Sequence, residues 1–463
     1  MSFISFEFVI LFVICFLIYY IVQKRLRKYV LLAASCVFIG YFNLLFLVTA
    51  LFVSILTYCI GIMIESARAK RYLQTIYWSG ISCLILCWSV FRHVDVLTGN
   101  ASFIFPLGIS FYTFQAIAYL TEVYWEEERA EHNLPDFMLY MLLFMKFLSG
   151  PIERPADLLS QIKELRPATY RMMSYGLKLI VVGLVKKLVL ADHISPYIDG
   201  IFSSIYTASG AQLLMACLLY PVELYADFSG YTDIAIGGAM LFGLRLSPNF
   251  NRPFVAQTTT DFWRRWHISL SSWVRDYLYM PLTSLTRHLG SSGIVISLLV
   301  TFVALGVWHG VGLNFVVYGL IQGIIIVWEL KTQLVRKRVS QKIGHWLYGL
   351  LSGVRTYLVF ALSLVFFKAP TVQAAFYFIR HISFQTNSCW KEINIGMSDH
   401  ICIVSGSALL LMLLYEFGMS RRNLLHQLEM QSIAIRWTMY YLIVFAILAY
   451  GKLGTENFIY LQF

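Results

Sequence analysis

Charged side chains are scarce in this sequence of 463 residues. Asp, Glu, Lys and Arg make up 13% of it, about half the share found in average soluble proteins. Hydrophobic residues make up 59% and aromatic residues 16%. Because so few charges cannot cover the water-facing surface of a chain this long, the composition excludes a soluble, disordered or fibrous protein. We therefore expect lipid to be the main solvent.

The sequence also lacks several familiar functional patterns. Its eight cysteines are scattered without a CxxC pair, so we expect neither a disulfide framework nor a zinc site, and no other metal. The GxSxG, GxxxxGK[ST] and HExxH patterns are absent, which removes support for a serine hydrolase, a P-loop ATPase or a zinc protease. No internal repeat is visible either, which argues weakly against transporters built from two related halves.

The net charge of +11 raises the question of nucleic-acid binding. However, Lys and Arg cluster in short loops between apolar runs, at Lys24–Lys28 and at Arg68–Arg71. This is how a multispanning protein sets its orientation. We therefore assign the charge to topology, place both clusters in the cytoplasm and the N-terminus outside, and expect no nucleic-acid partner.

Apolar runs divide the chain into candidate membrane spans. The first, Phe3–Val22, is long enough to cross a bilayer and has no cleavage signal, so we expect it to be retained. Tyr29–Ile64 is too long for one crossing, and the turn-forming Gly40–Asn43 in its middle predicts a hairpin. The other apolar runs are Tyr72–Phe91, Phe103–Tyr124, Leu134–Leu148, Leu213–Tyr225, Ile234–Leu244, Ile294–Val307, Leu313–Leu330, Trp346–Phe367, Ile401–Tyr415 and Trp437–Tyr450.

These runs predict an all-α, polytopic integral membrane protein with about 11 to 13 transmembrane helices. Tyr175–Ala191 is apolar but carries Lys178, Lys186 and Lys187, which favours a helix lying in the membrane interface. We divide the chain into N-terminal transmembrane hairpins at 1–100, a catalytic core at 101–383 and C-terminal transmembrane helices at 384–463. The core contains a cytoplasmic amphipathic segment at 248–289, where polar and aromatic residues occur together.

The densest group of candidate functional residues is Thr260–Tyr277. Thr260 or Asp261 is suited to cap a helix start, and the spacing then predicts one helix with an aromatic stripe. The stripe consists of Trp263, Trp266, Leu270, Trp273 and Tyr277. Arg264 and Arg275 share a different face, and His267 lies between that face and the aromatic stripe. Two interpretations stay open: an amphipathic helix at the membrane surface, or an arginine pair that binds an anionic donor while His267 faces a cavity.

A second candidate is His309 in the segment Gly306–Gly312. A histidine between two apolar runs lies within the membrane, where an ionisable side chain is costly and usually has a partner or a task. Gly306 and Gly310 allow a neighbouring helix or a substrate chain to approach closely. A neutral imidazole can act as a general base on a hydroxyl. The alternative is a buried histidine that is hydrogen-bonded to a carbonyl.

The third candidate is Tyr225–Asp233, which places Asp227 and Asp233 between apolar runs. It is either an interrupted helix lining a polar cavity or a loop, and we favour the loop. Downstream, Asn249–Pro253 indicates an ordered cytoplasmic turn before the arginine-rich helix.

At these residues the chain resembles a bacterial member of the membrane-bound O-acyltransferase (MBOAT) family, in the branch that includes alginate O-acetyltransferase. The stretches that carry the resemblance run in family order from about residue 100 to the last residue. They are Phe105–Tyr112, Gly150-Pro151, Asp227–Gly237, Asn249–Pro253, Asp261–Tyr277, Trp308-His309-Gly310 and Phe458–Phe463.

The resemblance implies helices around a central funnel or tunnel in which a thioester-borne acyl group passes to a hydroxyl. The essential histidine of the family corresponds to His309, and the second polar position corresponds to His267. On this basis we expect His309 to accept the proton of the hydroxyl and His267 to orient or polarise the carbonyl. The residues we expect to bind substrate are Trp308, Asp227, Asn249, Arg252, Trp263, Arg264, Arg265 and Trp266. Among them, Arg252, Arg264 and Arg265 would hold the phosphate-bearing donor.

We thus expect an O-acyltransferase in the bacterial inner membrane, surrounded by membrane lipid. The donor would be acetyl-CoA or an acyl-carrier protein on the cytoplasmic side. The acceptor would be an extracytoplasmic polysaccharide, reached through a partner acyltransferase. The alternative from another class is a transporter or flippase, with His309, Asp227 and Asp233 on a proton or substrate path. A scaffold for a secretion complex is a third hypothesis.

Overall fold

The computed structural model describes residues 3–68, 71–92, 108–148, 150–383, 399–419 and 424–452. Within these ranges all regular secondary structure is helical, which confirms the all-α prediction. The α-helices are α1 (Phe6–Ile21), α2 (Arg27–Phe42), α3 (Leu44–Ser66), α4 (Leu73–Arg92), α5 (Ile109–Tyr124), α6 (Leu134–Leu142), α7 (Phe144–Phe147), α8 (Ser160–Lys163), α9 (Tyr170–Leu184), α10 (Asp192–Ser203), α11 (Gly210–Leu241), α12 (Thr259–Trp263), α13 (Ile268–Val274), α14 (Met280–Leu285), α15 (Ser291–His309), α16 (Leu313–Lys331), α17 (Gln333–Ile343), α18 (His345–Lys368), α19 (Val372–His381), α20 (Asp399–Met419), α21 (Leu424–Glu429) and α22 (Ile433–Tyr450). Three π-helical segments occur at Pro155–Leu159, Val185–Ala191 and Arg275–Tyr279.

Among the described residues, seven helices are long and apolar enough to cross a membrane. They are α3, α4, α11, α15, α16, α18 and α22. The chain is therefore a polytopic membrane protein, as predicted. The number of 11 to 13 crossings and the central funnel stay predictions. Two of the proposed domain limits, near residues 100 and 384, lie outside the described residues, as do the start of the Phe105–Tyr112 stretch and all of Phe458–Phe463.

The predicted hairpin between the first two basic clusters is confirmed. Helix α2 ends at Phe42, and α3 begins two residues later. Asn43 lies between them in an extended conformation, and its side-chain oxygen accepts a hydrogen bond from the backbone nitrogen of Leu45 at 2.9 Å. An Asn at this position satisfies one of the free N–H groups at a helix start. The chain therefore turns here although the flanking residues are apolar.

The described chain forms two compact units. The first comprises Met1–Val182 with Tyr231–Pro248, and the second comprises Gly183–Gly230 with Asn249–Phe463. In the first unit, aromatic rings of Phe8, Phe38, Phe144 and Phe242 pack together, with ring centres 5.7 to 6.3 Å apart in the pairs that touch. The hydroxyl of Tyr19 donates to the carbonyl of Phe242 at 2.8 Å. Aromatic packing thus forms the interior of this unit.

The loop that we favoured at Tyr225–Asp233 is wrong, because α11 runs through it without interruption. Glycine at position 230 does not break the helix here, since it allows tight packing against a neighbouring segment. A Cβ atom at Gly230 would lie 2.8 Å from the carbonyl oxygen of Gly183 and 3.1 Å from Cβ of Lys186. Tertiary packing therefore outweighs the low helix propensity of glycine.

The interfacial interpretation of Tyr175–Ala191 is also wrong for two of its three lysines. Lys186 and Lys187 are buried in the π-helical segment that follows α9. Nζ of Lys187 lies 2.6 Å from Asp227 and 2.8 Å from Asp192, and Nζ of Lys186 lies 3.6 Å from Glu416. Buried lysines require such partners, because an isolated charge is expensive to remove from water. These side chains are therefore internal ion pairs in the second unit.

Candidate active site

His309 is the last residue of α15 and is buried, with 5% of its surface exposed. Three aromatic rings surround its imidazole. Their centres lie 4.5 Å away for Trp308, 5.1 Å for Phe367 and 6.2 Å for Tyr318. These rings come from α15, α18 and α16, so three helices of the second unit position the histidine.

Glycines allow the two helices on either side of His309 to pack closely. A Cβ atom at Gly306 would overlap the carbonyl oxygen of Phe315, and one at Gly319 would overlap that of Phe302. Between the helices, Gly312 has a φ of +153°, a conformation that side chains rarely adopt. Gly306 was expected to allow close approach of either a neighbouring helix or a substrate chain. The structure shows that a neighbouring helix, α16, packs on it.

The single helix predicted over Thr260–Tyr277 is wrong. The segment forms α12, α13 and a π-helical stretch, and the N-cap is Thr258, whose hydroxyl accepts from the backbone nitrogen of Asp261 at 3.0 Å. His267 separates α12 from α13 with a left-handed φ of +45°. The break has a tertiary cause that periodicity does not report. Backbone hydrogen bonds join the preceding segment to both sides of His267. The nitrogen of Asn251 donates to the carbonyl of Arg265, and the carbonyl of Asn249 accepts from the nitrogen of Ile268, each at 2.9 Å.

Asn249 determines which nitrogen of His267 carries the proton. Its side-chain oxygen accepts from the backbone nitrogen of Ser269 at 3.2 Å and from the Ser269 hydroxyl at 2.9 Å. The same oxygen lies 3.1 Å from Nδ1 of His267. Because an oxygen that accepts two bonds also faces Nδ1, this nitrogen must be the donor. The neutral ring therefore has its lone pair on Nε2.

His267 is neutral in this environment. Its ring is 1% exposed, and the ring of Phe228 lies edge-on to it at 4.8 Å. Burial lowers the pKa of His267 well below its usual value of 6.5, and nearby His309 lowers it further. The two sequence-predicted histidines thus lie in the same unit, within range of each other's charge.

The two tryptophans of this segment have different surroundings. Nε1 of Trp263 donates to Gln322 at 3.0 Å, and the amide of Gln322 donates to Ser363 at 2.7 Å. The Trp266 ring is buried, stacks on Phe262 at 5.5 Å and lies edge-on to Phe360 of α18 at 5.1 Å. Both rings thus fasten the segment to the helices around it. Their role in substrate binding stays a prediction.

The predicted donor-binding arginines also differ from one another. Nε of Arg265 is bonded to both carboxylate oxygens of Asp261, at 2.9 and 3.0 Å. Arg252 has a φ of +50° and its Nε contacts the neighbouring Asn251 at 3.3 Å. Within the described part of the chain, the guanidinium of Arg264 is exposed and makes no hydrogen bond or ion pair. Arg264 is therefore the best placed of the three to meet a ligand.

A cavity of about 940 Å³ lies beside Arg264 in the second unit. Arg264, Arg275 and Arg336 line its wall, and Arg275 is paired with the adjacent Asp276. Helices α15 and α16 supply apolar side chains such as Leu298, Phe302 and Ile326. Leu305, one helical turn before His309, also lines it, whereas His309 itself does not. Arg264 and Arg275, which were expected on one face of a single helix, thus line the same cavity from separate elements. The shape and charge suit an amphipathic anion.

Sequence reasoning missed Gln322, Glu329 and Arg336. Glu329 is buried and accepts from the backbone nitrogens of Thr259 and Thr260 at the start of α12, and from Arg355 at 2.9 Å. A carboxylate at a helix N-terminus stabilises it. A signal was present for two of the three, since Gln322 and Glu329 are polar residues inside a membrane span. Arg336 had no signal, because it belongs to a basic segment where any of several residues could have faced the cavity.

Asp227 and Trp308 complete the predicted set. Asp227 lies on α11 and is paired with Lys187. Burial by itself would lower the pKa of Lys187, but the carboxylates of Asp227 and Asp192 outweigh it and raise that pKa. Trp308 lies beside His309. Among the residues the structure describes, no cluster of His, Cys, Asp and Glu has the arrangement of a metal site.

The fold and this site define a polytopic, all-α membrane protein with a buried histidine pair next to a cationic and apolar cavity. The sequence profile of the MBOAT, membrane-bound O-acyltransferase family, matches residues 31–367. The chain belongs to this family and is an O-acyltransferase.

Several curated proteins are similar to the chain over much of its length. A probable alginate O-acetylase, AlgI, of Pseudomonas aeruginosa is 33% identical over 393 residues, covering 81% of this chain and 73% of that protein. A peptidoglycan O-acetyltransferase of Helicobacter pylori is 27% identical, covering 89% and 88%. A teichoic acid D-alanyltransferase of Bacillus subtilis is 30% identical, covering 52% and 62%. The resemblance to the alginate-type branch is therefore confirmed.

Proposed function

We propose that this enzyme transfers an acetyl group from a cytoplasmic thioester to a hydroxyl acceptor, and that a partner acyltransferase then passes the group to an extracytoplasmic polysaccharide. In this reaction the hydroxyl oxygen attacks the thioester carbonyl, the carbon–sulfur bond breaks, and the thiol leaves with a proton. His309 accepts the proton of the attacking hydroxyl and returns it to the sulfur. The observation that carries the proposal is the burial of His309 at the end of α15, with three aromatic rings around it and the neutral His267 within range of its charge.

His267 acts in this proposal through Nε2. Since Nδ1 donates to Asn249, Nε2 accepts a hydrogen bond, and a group that accepts cannot polarise a carbonyl. Of the two expected roles, orienting or polarising the carbonyl, we therefore drop the polarising one. We propose that His267 orients the reacting complex by accepting a hydrogen bond from a donor such as the acceptor hydroxyl. Neutral His267 also leaves His309 without a second positive charge nearby, which keeps proton transfer to His309 favourable.

The cavity is our proposed site for the donor, acetyl-CoA or an acyl-carrier protein. Both carry phosphate on the same pantetheine arm, and arginine is well suited to bind phosphate. Arg264, Arg275 and Arg336 replace the predicted set of Arg252, Arg264 and Arg265 in this role, because Arg252 and Arg265 do not line the cavity. The negative charge of Glu329, which also lines the cavity, is offset by its ion pair with Arg355.

The acceptor class rests on the relatives. The names of the similar proteins refer to alginate, peptidoglycan and teichoic acid, which are polymers outside the cytoplasm. We extend this shared property to the present chain and place it in the inner membrane, with a partner acyltransferase that receives the acetyl group on the far side. The proposed thioester donors are cytoplasmic, so the acetyl group enters on the side where the basic clusters are expected to lie.

The test uses purified protein in detergent with radiolabelled acetyl-CoA or acetyl-carrier protein. It measures release of the free thiol and transfer of the labelled acetyl group to a hydroxyl acceptor. His309→Ala is expected to abolish both. His288→Ala is the matched control, because His288 is exposed and bonded only to the Leu285 carbonyl within the described structure. Turnover by His309→Ala would exclude the proposed role of His309. Vesicle transport that needs His309, without thioester cleavage by the wild type, would instead support the transporter alternative.

A further inference from the structure

The short helix α17 lies between two membrane-spanning candidates. Helix α16 ends at Lys331, and α18 begins at His345. Because both neighbours are long enough to cross the bilayer, the chain leaves the membrane and re-enters it on one side. The 11 residues of α17 are too few and too polar to cross, so this helix lies at that membrane surface.

Positive charge dominates this segment. Residues 331–345 contain five basic side chains and no Asp or Glu. These side chains are Lys331, Arg336, Lys337, Arg338 and Lys342. Arg336 points inward, since its Nη2 donates to the carbonyl of Glu329 at 2.6 Å and it lines the cavity. Lys337, Arg338 and Lys342 are exposed.

An apolar stripe accompanies the exposed charges. Val335, Val339 and Ile343 recur every four residues and therefore share one side of the helix. They are 59%, 40% and 41% exposed. Arg338 and Lys342 each precede a stripe residue by one position, so their charges flank the stripe. Trp346, which follows the helix, is 80% exposed.

Two contacts fix which side of α17 faces outward. Arg336 ties the helix to the end of α16, and the Ser340 hydroxyl lies 2.9 Å from Nδ1 of His345 at the start of α18. Ser340 is buried on this inner side. These contacts hold α17 in one orientation, in which the stripe and the three charged side chains are exposed.

We propose that α17 is a binding element for anionic phospholipids. Its apolar stripe enters the acyl-chain boundary, and Lys337, Arg338 and Lys342 contact the lipid phosphates, as in amphipathic helices at membrane surfaces. A membrane offers both an apolar layer and negative charge to this face. An acidic soluble protein would match only the charges and would leave the stripe in water. The proposal does not depend on the donor or acceptor proposed above.

The test measures which lipid the full-length protein retains. Wild type and variants are incubated in micelles with equal amounts of phosphatidylglycerol and phosphatidylcholine and passed through gel filtration, and the bound lipids are quantified by mass spectrometry. The variant Lys337→Gln/Arg338→Gln/Lys342→Gln is expected to lose phosphatidylglycerol enrichment at least about fivefold, since each basic residue near an anionic surface contributes about that factor. The charge-conserving variant Lys337→Arg/Arg338→Lys/Lys342→Arg is expected to retain it.

Two further variants separate this surface from general charge effects. Val335→Ser/Val339→Ser is expected to reduce the enrichment although no charge changes. Arg129→Gln/Arg166→Gln removes two exposed charges that lie beside acidic side chains and is expected to retain most of it. Unchanged enrichment in the α17 charge variant would overturn the proposal, and so would an equal loss in the distant control. Binding of an acidic carrier protein is measured on the same variants. If the Val→Ser variant keeps its full phosphatidylglycerol enrichment while the charge variant no longer binds the carrier protein, α17 is a surface for a soluble partner and the lipid proposal is overturned.

Discussion

The side-chain oxygen of Asn249 lies 3.1 Å from Nδ1 of His267 and also accepts two hydrogen bonds from Ser269. This single atom sets the tautomer of a buried histidine. Asn249, which we had expected to bind substrate, is 1% exposed and therefore acts on His267 as a positioning residue. Its effect on the reaction is separable from a purely structural one through the pH dependence of activity.

Asn249→Asp is expected to move the acid side of the pH–activity profile to higher pH. A carboxylate next to Nδ1 favours the imidazolium form and raises the pKa of His267, by about one unit or more. Since the proposed role needs the lone pair on Nε2, activity is lost as pH falls through that raised pKa. Steady-state rates between pH 5 and 8 measure this shift.

Asn249→Ala is the companion variant. It removes the ring's partner without adding charge, so we expect a lower kcat at every pH and no upward shift of the acid side. An Asp variant with the wild-type profile would contradict the assigned tautomer. Melting temperatures of both variants separate a loss of fold from a loss of orientation.

Arg264→Gln is expected to raise KM for the acyl donor about tenfold, with a smaller change in kcat. A hydrogen bond to a charged group contributes roughly 1.5 kcal/mol or more, and Arg264 has no competing partner within the described residues. Arg336→Gln is expected to act in the same direction. Initial-rate kinetics with varied donor concentration measure both effects.

Arg265→Gln is the matched control for the arginine prediction. This neighbouring guanidinium is held by Asp261 and does not line the cavity, so its loss should leave KM for the donor nearly unchanged. Equal increases in KM for Arg264→Gln and Arg265→Gln would show that general surface charge, and not the cavity, attracts the donor.

Lys187→Met is expected to lower the free energy of unfolding by about 3 to 5 kcal/mol. The change leaves Asp192 and Asp227 buried without their shared cation, and breaking a buried ion pair from one side has this cost. Thermal unfolding in detergent measures it. Asp227→Asn should cost less, because Asp192 still pairs with Lys187 at 2.8 Å. A milder effect of Lys187→Met than of Asp227→Asn would contradict this assignment.

Gly306→Ala is expected to reduce both activity and melting temperature. The added Cβ overlaps the carbonyl oxygen of Phe315 and forces α15 away from α16, which displaces His309 one turn later. Gly200→Ala is the control, since nothing lies within 4 Å of a Cβ at that position of α10. That variant should be neutral or stabilising by up to about 1 kcal/mol. Wild-type activity in Gly306→Ala would refute the close helix packing.

Residue composition and local pattern were sufficient for the membrane class and the α2–α3 hairpin, and they made His309 a candidate functional residue. Lipid as solvent requires long apolar helices, and an ionisable residue inside one stands out in sequence. The turn at Asn43 depends on a hydrogen bond to a residue two positions away, so the local sequence was enough to predict it. The family motifs added the reaction class.

Long-range contacts decided the rest. The helical state of Tyr225–Asp233 depends on the packing of Gly230 against Gly183, and the break at His267 depends on backbone bonds to Asn249 and Asn251. Likewise, only the folded chain shows that Arg265 is occupied by its own Asp261 while Arg336, 72 positions after Arg264 in the sequence, reaches the same cavity. Periodicity reports one element at a time. The sequence alone therefore determined the membrane class and supplied the candidate residues for acyl transfer, whereas the tertiary structure decided which of them are paired, buried or available to a ligand.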